Sequence, residues 1–234
     1  MVSKAPLTKI IAFVGPTGAN KSSIAKKVAE DLNLPLFNFD RSQMYRELKI
    51  GVNKDLDIKF TSFLELTEDF NIKKFQTLIR EELKNHKAAL LVGGSGLYLN
   101  AIIKDFLKPT DGREIFVYPV LTIKLFPERA ILYQKLNDRF SKMMEEGFLE
   151  EVKNLLKKYK TLKGIKALGY YELEEYLHEK RNLQETEELI KQKTRNYAKR
   201  QYTWFRHQIE GTVFDPFNLD YEKLLRAVKD FIDE

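Results

Sequence analysis

Short apolar runs alternate with amphipathic segments along this chain, and that alternation predicts its secondary structure. Apolar runs bounded by glycine or polar residues are typical of strands buried in a sheet. The predicted strands are residues 9–14, 36–38, 62–66, 88–92 and 117–125. Because helical patterns separate most of these runs, the sequence predicts an α/β fold with a mostly parallel sheet flanked by helices.

Apolar residues that recur three and four positions apart predict the helices, which dominate the chain after residue 128. The predicted helices are residues 21–31, 72–85, 97–103, 128–145, 148–159, 170–178 and 183–207. We expect one domain over residues 1–234, in which a helical part, residues 126–210, packs on the same core. Residues 104–118, which contain proline and glycine, are predicted to form a short linker.

A glycine-containing turn follows the first predicted strand and leads into the first predicted helix. Such a turn presents unpaired backbone N–H groups and the positive end of a helix dipole to an anion, and both favour phosphate binding. Lys21 adds a positive charge, and Ser22 supplies the hydroxyl that loops of this type place on a phosphate-bound Mg²⁺. The predicted phosphate-binding residues are Gly15, Pro16, Thr17, Gly18, Ala19, Asn20, Lys21, Ser22 and Ser23.

Asn20 occupies the position at which the pattern G-x-x-x-x-G-K-[ST] has its second glycine. Asparagine is the non-glycine residue that most readily adopts a left-handed backbone, so the turn is retained if that conformation is required here. The alternative is an ordinary glycine-containing connection between a strand and a helix. The coincidence of strand, glycine, lysine and hydroxyl at the correct spacing favours the phosphate-binding interpretation.

Two further motifs follow predicted strands. In FDRSQMY, Asp40 lies at the carboxyl end of the second strand, where open α/β sheets bind their ligands. A carboxylate there can act as a general base, while Ser42 and Gln43 can read a base edge. The alternative is that Asp40 only caps the following helix. In LLVGGSGLYL, the turn after a buried strand is expected to present Ser95 and backbone amides beside the phosphate-binding turn.

Composition and charge narrow the functional classes. The 234 residues include no cysteine, which excludes disulfides, a thiolate nucleophile and a thiolate zinc site, and we expect a cytoplasmic protein. The N-terminal apolar run is only as long as a strand, so neither a signal peptide nor a membrane partner is expected. The net charge of +6 favours a polyanionic partner.

Six of the 40 lysine and arginine residues lie in residues 191–206, a segment that contains no acidic residue. Its basic residues are Lys191, Lys193, Arg195, Lys199, Arg200 and Arg206. Aromatic residues lie among them, namely Tyr197, Tyr202, Trp204 and Phe205. This composition is typical of a surface that binds phosphates and stacks bases, although a solvated basic helix face has the same composition.

Five short motifs occur along nearly the whole chain. They are GPTGANKS (15–22), DRSQMY (40–45), GGSGLY (93–98), KALGYYEL (166–173) and YAKRQYTWFR (197–206). Together, and in this order, they resemble the tRNA dimethylallyltransferases, also called isopentenyltransferases. Residues 132–152 are also similar to a helix of that family that carries an arginine, here Arg139.

This resemblance implies a P-loop NTPase-like fold and the transfer of a dimethylallyl group from its diphosphate to N6 of the adenosine beside the anticodon. The implied catalytic residues have separate tasks. Asp40 would take the proton of the exocyclic amine, and Ser95 would donate near the bridging oxygen of the diphosphate. The negative charge of the diphosphate would be neutralised by Lys21, Arg139 and an Mg²⁺ ion on Ser22.

The partners implied by the resemblance are a tRNA anticodon stem-loop and dimethylallyl diphosphate. The loop type binds ATP in other proteins, but here it would serve the prenyl diphosphate. We expect a monomer. The implied RNA-binding residues are Asp40, Arg41, Ser42, Gln43, Ser95, Lys199, Arg200, Gln201 and Arg206.

Several positions depart from the pattern of that family. Arg41 and Ser42 reverse its usual Asp-Ser-Arg-Gln order. Its helical insertion, which grips the anticodon stem, is reduced here to residues 104–118, so we expect residues 191–206 to carry more of the RNA binding. The alternative functions are prenylation of a free adenine nucleotide, phosphoryl transfer by a P-loop small-molecule kinase, and RNA binding without catalysis.

Overall fold

The computed structural model describes residues 7–104 and 117–234, and within them a five-stranded sheet forms the centre of the protein. The strands are β1 Lys9–Val14, β2 Leu36–Asn38, β3 Ala88–Val92, β4 Val120–Leu125 and β5 Thr212–Phe214. Their order is β2-β3-β1-β4-β5, and every neighbouring pair is parallel. The predicted fold class is therefore confirmed. Most of the predicted linker, residues 104–118, lies outside the described residues.

Helices connect and cover the strands. In chain order they are α1 Lys21–Leu32, α2 Arg41–Met44, α3 Ile72–Leu83, α4 Gly96–Ile103, α5 Arg129–Glu145, α6 Phe148–Lys158, α7 Tyr170–Leu177, α8 Leu183–Gln208 and α9 Tyr221–Asp233. The predicted helices are confirmed with small shifts at their ends, whereas α2 and α9 were not predicted. No helix among these residues is long and apolar enough to cross a membrane.

The prediction of a strand at residues 62–66 is wrong. Phe60 and Ser62 have left-handed backbone conformations, with φ 64° and 52°, which interrupt an extended chain. The segment instead turns back on α2, where the amide of Leu64 donates to the carbonyl of Met44 at 3.0 Å. Its apolar side chains are therefore buried by local packing and not by pairing in the sheet.

Two strands on one side of the sheet differ from the sequence prediction. β4 begins only at Val120 because Pro119 has no N–H for the ladder, and only its carbonyl pairs, accepting from Ile10 at 2.9 Å. β5 was not predicted at all. It is a short edge strand in which Thr212 and Val213 are exposed, so it lacks the apolar run that identifies a buried strand.

The side chains of β1 point alternately to the two faces of the sheet, and both faces are covered. Ile10, Ala12 and Val14 belong to a large hydrophobic cluster that also contains side chains of α3 to α8. Ile11 and Phe13 belong to a second cluster, formed with α1 and α9. The helices after residue 128 therefore share a hydrophobic core with the sheet.

The junction between β1 and α1 depends on backbone geometry at two positions. A Cβ at Gly15 would lie 2.4 Å from the carbonyl oxygen of Leu125, so only glycine lets the turn pass this close to β4. Asn20, the residue before α1, has φ 53° and ψ 24°, which is the left-handed conformation that asparagine tolerates. The turn therefore keeps its shape although the second glycine of the pattern is absent.

We expect Asn20→Gly to preserve this turn and Asn20→Val to disrupt it. Glycine adopts the left-handed conformation freely, whereas strain at such a position costs about 1–3 kcal/mol, so the valine variant should unfold at a lower temperature. Thermal unfolding followed by circular dichroism measures both effects. Asn196→Val, at an exposed position within α8, is the matched control. Equal melting temperatures for the two valine variants would contradict the assigned role of Asn20.

Candidate active site

Three loops lie side by side because β1, β2 and β3 are parallel and end at the same edge of the sheet. Phe39 donates its amide to the carbonyl of Val92 at 3.0 Å. Its ring lies so close to Gly93 that a Cβ there would be 2.6 Å away. The structure thus brings together the turn at residues 15–23, the segment that carries Asp40, and the GGSG turn that begins at Gly93.

Lys21 lies at the start of α1, and its amine is buried although the residue as a whole is partly exposed. The Nζ atom donates to the carbonyl of Pro16 at 2.8 Å. Burial lowers the pKa of Lys21 to about 8, an effect that the Asp40 carboxylate opposes and the Arg139 guanidinium reinforces. A phosphate bound in the turn would favour the charged form of this amine.

A second cation reaches the same turn from α5. The guanidinium of Arg139 donates to Thr17 Oγ1 at 3.0 Å. Close packing holds α5 in place, since a Cβ at Gly18 would lie 2.8 Å from the side chain of Leu136. Burial lowers the pKa of Arg139, but a guanidinium stays charged at physiological pH. The structure therefore places Arg139 beside Lys21, as diphosphate binding by both requires.

Two amides of the turn are already used by the protein. The amide of Thr17 donates to Gln201 Oε1 at 2.8 Å, and that of Ala19 donates to the carbonyl of Pro16 at 3.3 Å. The amides of Gly18 and of the first turn of α1 have no backbone partner in the described part of the chain. The amides left free in this turn are therefore those of Gly18 and of the first turn of α1.

Asp40 caps α2 with one of its two carboxylate oxygens. Oδ1 accepts hydrogen bonds from the amide and the hydroxyl of Ser42, at 3.1 and 2.7 Å. The amide of Asp40 donates to Oδ1 of the buried Asn38 at 2.9 Å. Oδ2 accepts no hydrogen bond from any described residue and lies near Gly94. Capping thus fixes the carboxylate and leaves its second oxygen available to a substrate.

Arg41 and Gln43, the neighbours of that carboxylate on α2, point to different sides. Arg41 donates to the hydroxyl of Tyr45 at 3.0 and 3.1 Å. Gln43 donates to the carbonyls of Val52 and Asn53 at 3.3 and 3.2 Å. One short helix therefore supplies polar side chains to two separate spaces.

Asp40 lines two neighbouring cavities, one of which is also lined by Gln43 and the other by Arg41. The larger, of about 470 Å³, is lined by most of the turn at residues 15–23, by Arg139 and Gln43, and by apolar side chains of α5 and α6. The smaller, of about 340 Å³, is lined by Arg41, by residues on either side of α2, and by the segment between α6 and α7. Both are lined by Asp40, Ser42, Lys166, Ala167 and Tyr197.

Ser95 lines the smaller cavity and not the larger one. It is the residue before α4, but its side chain makes no capping hydrogen bond. Gly93 and Gly94 of the same turn line the larger cavity. Ser95 has an extended backbone, so its side chain points away from the side that Gly94 presents. The structure therefore corrects the expectation that Ser95 lies beside the turn at residues 15–23.

Of the six lysine and arginine residues of α8, Lys191 pairs with two glutamates of the same helix, and the other five fall into two groups. Lys193 forms an ion pair with Glu172 at 2.7 Å, and Arg195 donates to Asn137 at 2.9 Å, so these two hold α8 on its neighbouring helices. The second group consists of exposed residues that form no ion pair within the described part of the chain. These are Lys199, Arg200 and Arg206.

Gln201 and Trp204, on the side of α8 opposite Lys199 and Arg206, face the protein. Gln201 is buried, and its carboxamide also donates to the carbonyl of Gly94 at 2.7 Å. The ring of Trp204 covers Gly96, where a Cβ would lie 2.3 Å from it. The structure does not support the prediction that Gln201 binds RNA, because both ends of its carboxamide are bonded to the protein backbone.

Lys166 and Tyr197 were not selected from the sequence, although both line the two cavities. Burial, and then the Asp40 carboxylate, raises the pKa of Tyr197, so its hydroxyl stays protonated and can donate a hydrogen bond. The motifs at residues 166–173 and 197–206 contain both residues. Only the packing of α7 and α8 shows which members of those motifs reach the site.

Comparison with known proteins identifies the family. A model of the family described as IPP transferase matches residues 43–116 and 109–208. The tRNA dimethylallyltransferase of Oenococcus oeni is 33% identical over 220 residues, which cover 86% of this chain and 86% of that protein. That of Phytoplasma australiense is 29% identical over 287 residues, covering 97% and 99%. The second alignment exceeds the 234 residues of this chain, so that relative has segments without a counterpart here.

Solved structures show the same fold. The tRNA isopentenylpyrophosphate transferase of Bacillus halodurans superimposes with a TM-score of 0.83 at 26% identity, covering 96% of this chain and 95% of that one. The corresponding protein of Staphylococcus epidermidis superimposes with a TM-score of 0.86 at 19% identity, covering 97% and 99%. On the family match, the sequence relatives and the shared fold, this chain belongs to the IPP transferase family, that of the tRNA dimethylallyltransferases.

Proposed function

We propose that this protein transfers a dimethylallyl group from dimethylallyl diphosphate to N6 of the adenosine beside the anticodon of a tRNA. The observation that carries the proposal is the position of Asp40 between two cavities, one of which contains two buried cations. Relatives named tRNA dimethylallyltransferases support the same reaction.

Lys21 and Arg139 bind the diphosphate. Neither forms an ion pair within the described residues, so their charge is available to an anion. With the free amides of Gly18 and of the first turn of α1, they stabilise the negative charge that grows on the diphosphate as the C–O bond breaks. The diphosphate thereby becomes a good leaving group.

A magnesium ion fits at the diphosphate end of the larger cavity. Ser22, in the first turn of α1, lines this cavity, and its hydroxyl has no hydrogen-bond partner in the described part of the chain. The described part of the chain contains no group of three or more acidic or histidine side chains that could hold a metal. The substrate must therefore supply most of the ligands. Bound with the diphosphate, the ion would neutralise part of its charge.

The apolar wall of the larger cavity suits a short prenyl chain. The side chains that form it are Leu136, Phe140, Met143, Phe148 and Ile190. With its diphosphate on the cations, a five-carbon chain lies against this wall, which keeps water from the allylic carbon. The diphosphate cannot then be lost to hydrolysis before the acceptor arrives.

Asp40 accepts a proton from the adenosine amine, which enters through the smaller cavity. Because Ser42 fixes Oδ1, the free Oδ2 has a defined direction toward the acceptor. The N–C bond forms as the C–O bond breaks, the electron pair of the C–O bond leaves with the diphosphate, and the N6 proton moves to Asp40. Lys199 and Arg206, two exposed basic residues of α8, bind phosphates of the stem-loop outside the cavity.

The proposal is tested by incubating the protein with dimethylallyl diphosphate and Mg²⁺ and with either total tRNA or AMP, followed by mass analysis of the nucleosides. Prenylated adenosine from the tRNA alone supports the proposal. Product from AMP alone would assign a free nucleotide as the acceptor. Absence of product from both pools would overturn prenyl transfer itself.

The capping role and the proton-accepting role of Asp40 can be separated. Asp40→Asn retains a capping side chain, whereas Asp40→Ala does not, so only the alanine variant should lose about 1 kcal/mol of folding stability. Both variants lack the base, and turnover should fall by roughly 10²-fold or more in each. Single-turnover rates and thermal unfolding measure the two effects. Normal turnover by Asp40→Asn would reduce Asp40 to a helix cap.

The exposed basic residues of α8 should determine how tRNA binding depends on salt. Replacing Lys199 and Arg206 by Ala should weaken binding of an anticodon stem-loop and reduce the slope of log K against log salt by about 0.7–0.9 per lost phosphate contact. Fluorescence anisotropy at several salt concentrations measures this slope. Replacing Lys223 and Lys229 on α9, which covers the opposite face of the sheet, removes the same net charge. The same reduction in this control would show a general charge effect.

Diphosphate binding should weaken as the pH rises through the pKa of Lys21. Bound diphosphate favours the charged amine, so affinity is full below a pKa of about 8 and falls above it. Calorimetric titrations with dimethylallyl diphosphate between about pH 6.5 and about pH 9.5 measure this fall. Lys21→Met lacks the titrating amine and provides the reference profile. Parallel profiles for the two proteins would show that Lys21 does not contribute charge.

A further inference from the structure

The carboxamide of Gln201 connects two loops of the active site through their backbones. Its Oε1 accepts from the amide of Thr17 at 2.8 Å, and its Nε2 donates to the carbonyl of Gly94 at 2.7 Å. An amide hydrogen requires an acceptor and a carbonyl oxygen requires a donor, so the two partners fix which way the carboxamide points. The side chain is buried, with 5% of its surface exposed.

The GGSG turn packs closely against α8, at two positions where only glycine leaves enough room. A Cβ at Gly94 would lie 2.3 Å from Gln201 Nε2, and one at Gly96 would lie 2.3 Å from the ring of Trp204. Gln201 and Trp204 are one helical turn apart, so they contact the GGSG turn from the same side of the helix. The helix that carries the exposed basic residues is therefore held directly against the active-site loops.

Each loop joined by Gln201 carries a different part of the reaction. The amide of Thr17 donates to Gln201, and the hydroxyl of Thr17 accepts from Arg139. The loop that carries Thr17 is therefore the one that binds the diphosphate. Gly94 lies near Oδ2 of Asp40, so the other side belongs to the acceptor. Gln201 spans the boundary between the leaving group and the base.

We infer that Gln201 is a positioning residue that sets the alignment of the diphosphate with the acceptor, an inference that rests on the proposed prenyl transfer. Both ends of its carboxamide are engaged by the protein, and it acts through Thr17 and Gly94. Its loss should lower kcat, because a displacement of about 1 Å between reacting groups costs on the order of 10²-fold in rate. Binding of the stem-loop should change little, because the exposed basic residues of α8 are retained.

Two substitutions of similar size test this inference. Gln201→Met removes both hydrogen bonds and should lower kcat by roughly 10- to 100-fold. Gln201→Glu keeps the acceptor for Thr17 but, when ionised, opposes the carbonyl of Gly94 with a negative oxygen. When protonated, the carboxylic acid donates to that carbonyl and restores the bridge. The ratio of kcat in Gln201→Glu to that in the wild type should therefore rise as the pH is lowered from about 8.5 to about 6, because burial raises the pKa of the introduced carboxyl.

The controls are Gln192→Met and Gln192→Glu, at an exposed position of the same helix, which should give the wild-type rate at every pH. In Gln201→Met, kcat within twofold of the wild type would overturn the inference while leaving the proposed function intact. If that variant does not fold, the ratio for Gln201→Glu decides, and a ratio independent of pH overturns the inference. Absence of prenyl transfer by the wild type would overturn the proposed function and this inference with it.

Discussion

The pairing of β1 with β3 on one side and β4 on the other is the constraint on which the rest of the structure depends. β1 is buried on both faces, which is why its residues form a continuous apolar run. Because parallel strands end at one edge, this pairing, together with that of β2 with β3, collects the turn at residues 15–23, Asp40 and the GGSG turn from distant parts of the sequence. Every contact described between these loops follows from that arrangement.

The burial of two cations opposes folding, and under the proposed function the diphosphate relieves this cost. Lys21 and Arg139 lose hydration in the folded protein, yet neither gains an ion-pair partner within residues 7–104 and 117–234. An anionic ligand would pair with these cations. Its binding would therefore offset the destabilisation that their loss of hydration causes in the folded protein. Charges fixed before the substrate arrives need no rearrangement as the leaving group develops its own charge.

Local signals in the sequence were sufficient for the strands and helices that make up most of the core. β1, β2 and β3 were predicted with their observed bounds, because each is a buried apolar run with polar or glycine boundaries. Residues 62–66 had the same signal, but left-handed residues just before and within that segment prevent pairing. The apolar content of a segment indicates that the segment is buried, but it does not identify the elements against which the segment packs.

The sequence identified the residues of the candidate site more completely than it identified their arrangement. Lys21, Arg139 and Asp40 converge as the motifs implied, since each motif follows or covers the same edge of the sheet. Ser95 and Gln201 lie elsewhere than expected, because the backbone direction of one turn and the rotation of α8 decide where those side chains point. Neither the backbone direction of that turn nor the rotation of α8 can be inferred from the few residues around each motif.

The left-handed conformation of Asn20 also limits how this position can change during evolution. Glycine and asparagine codons differ at more than one nucleotide, so a return to glycine must pass through aspartate or serine. Aspartate would place a negative charge at the mouth of a diphosphate site, and serine adopts this conformation less readily than asparagine does. Each single-nucleotide intermediate between asparagine and glycine is therefore expected to suit this turn less well than either end of the route.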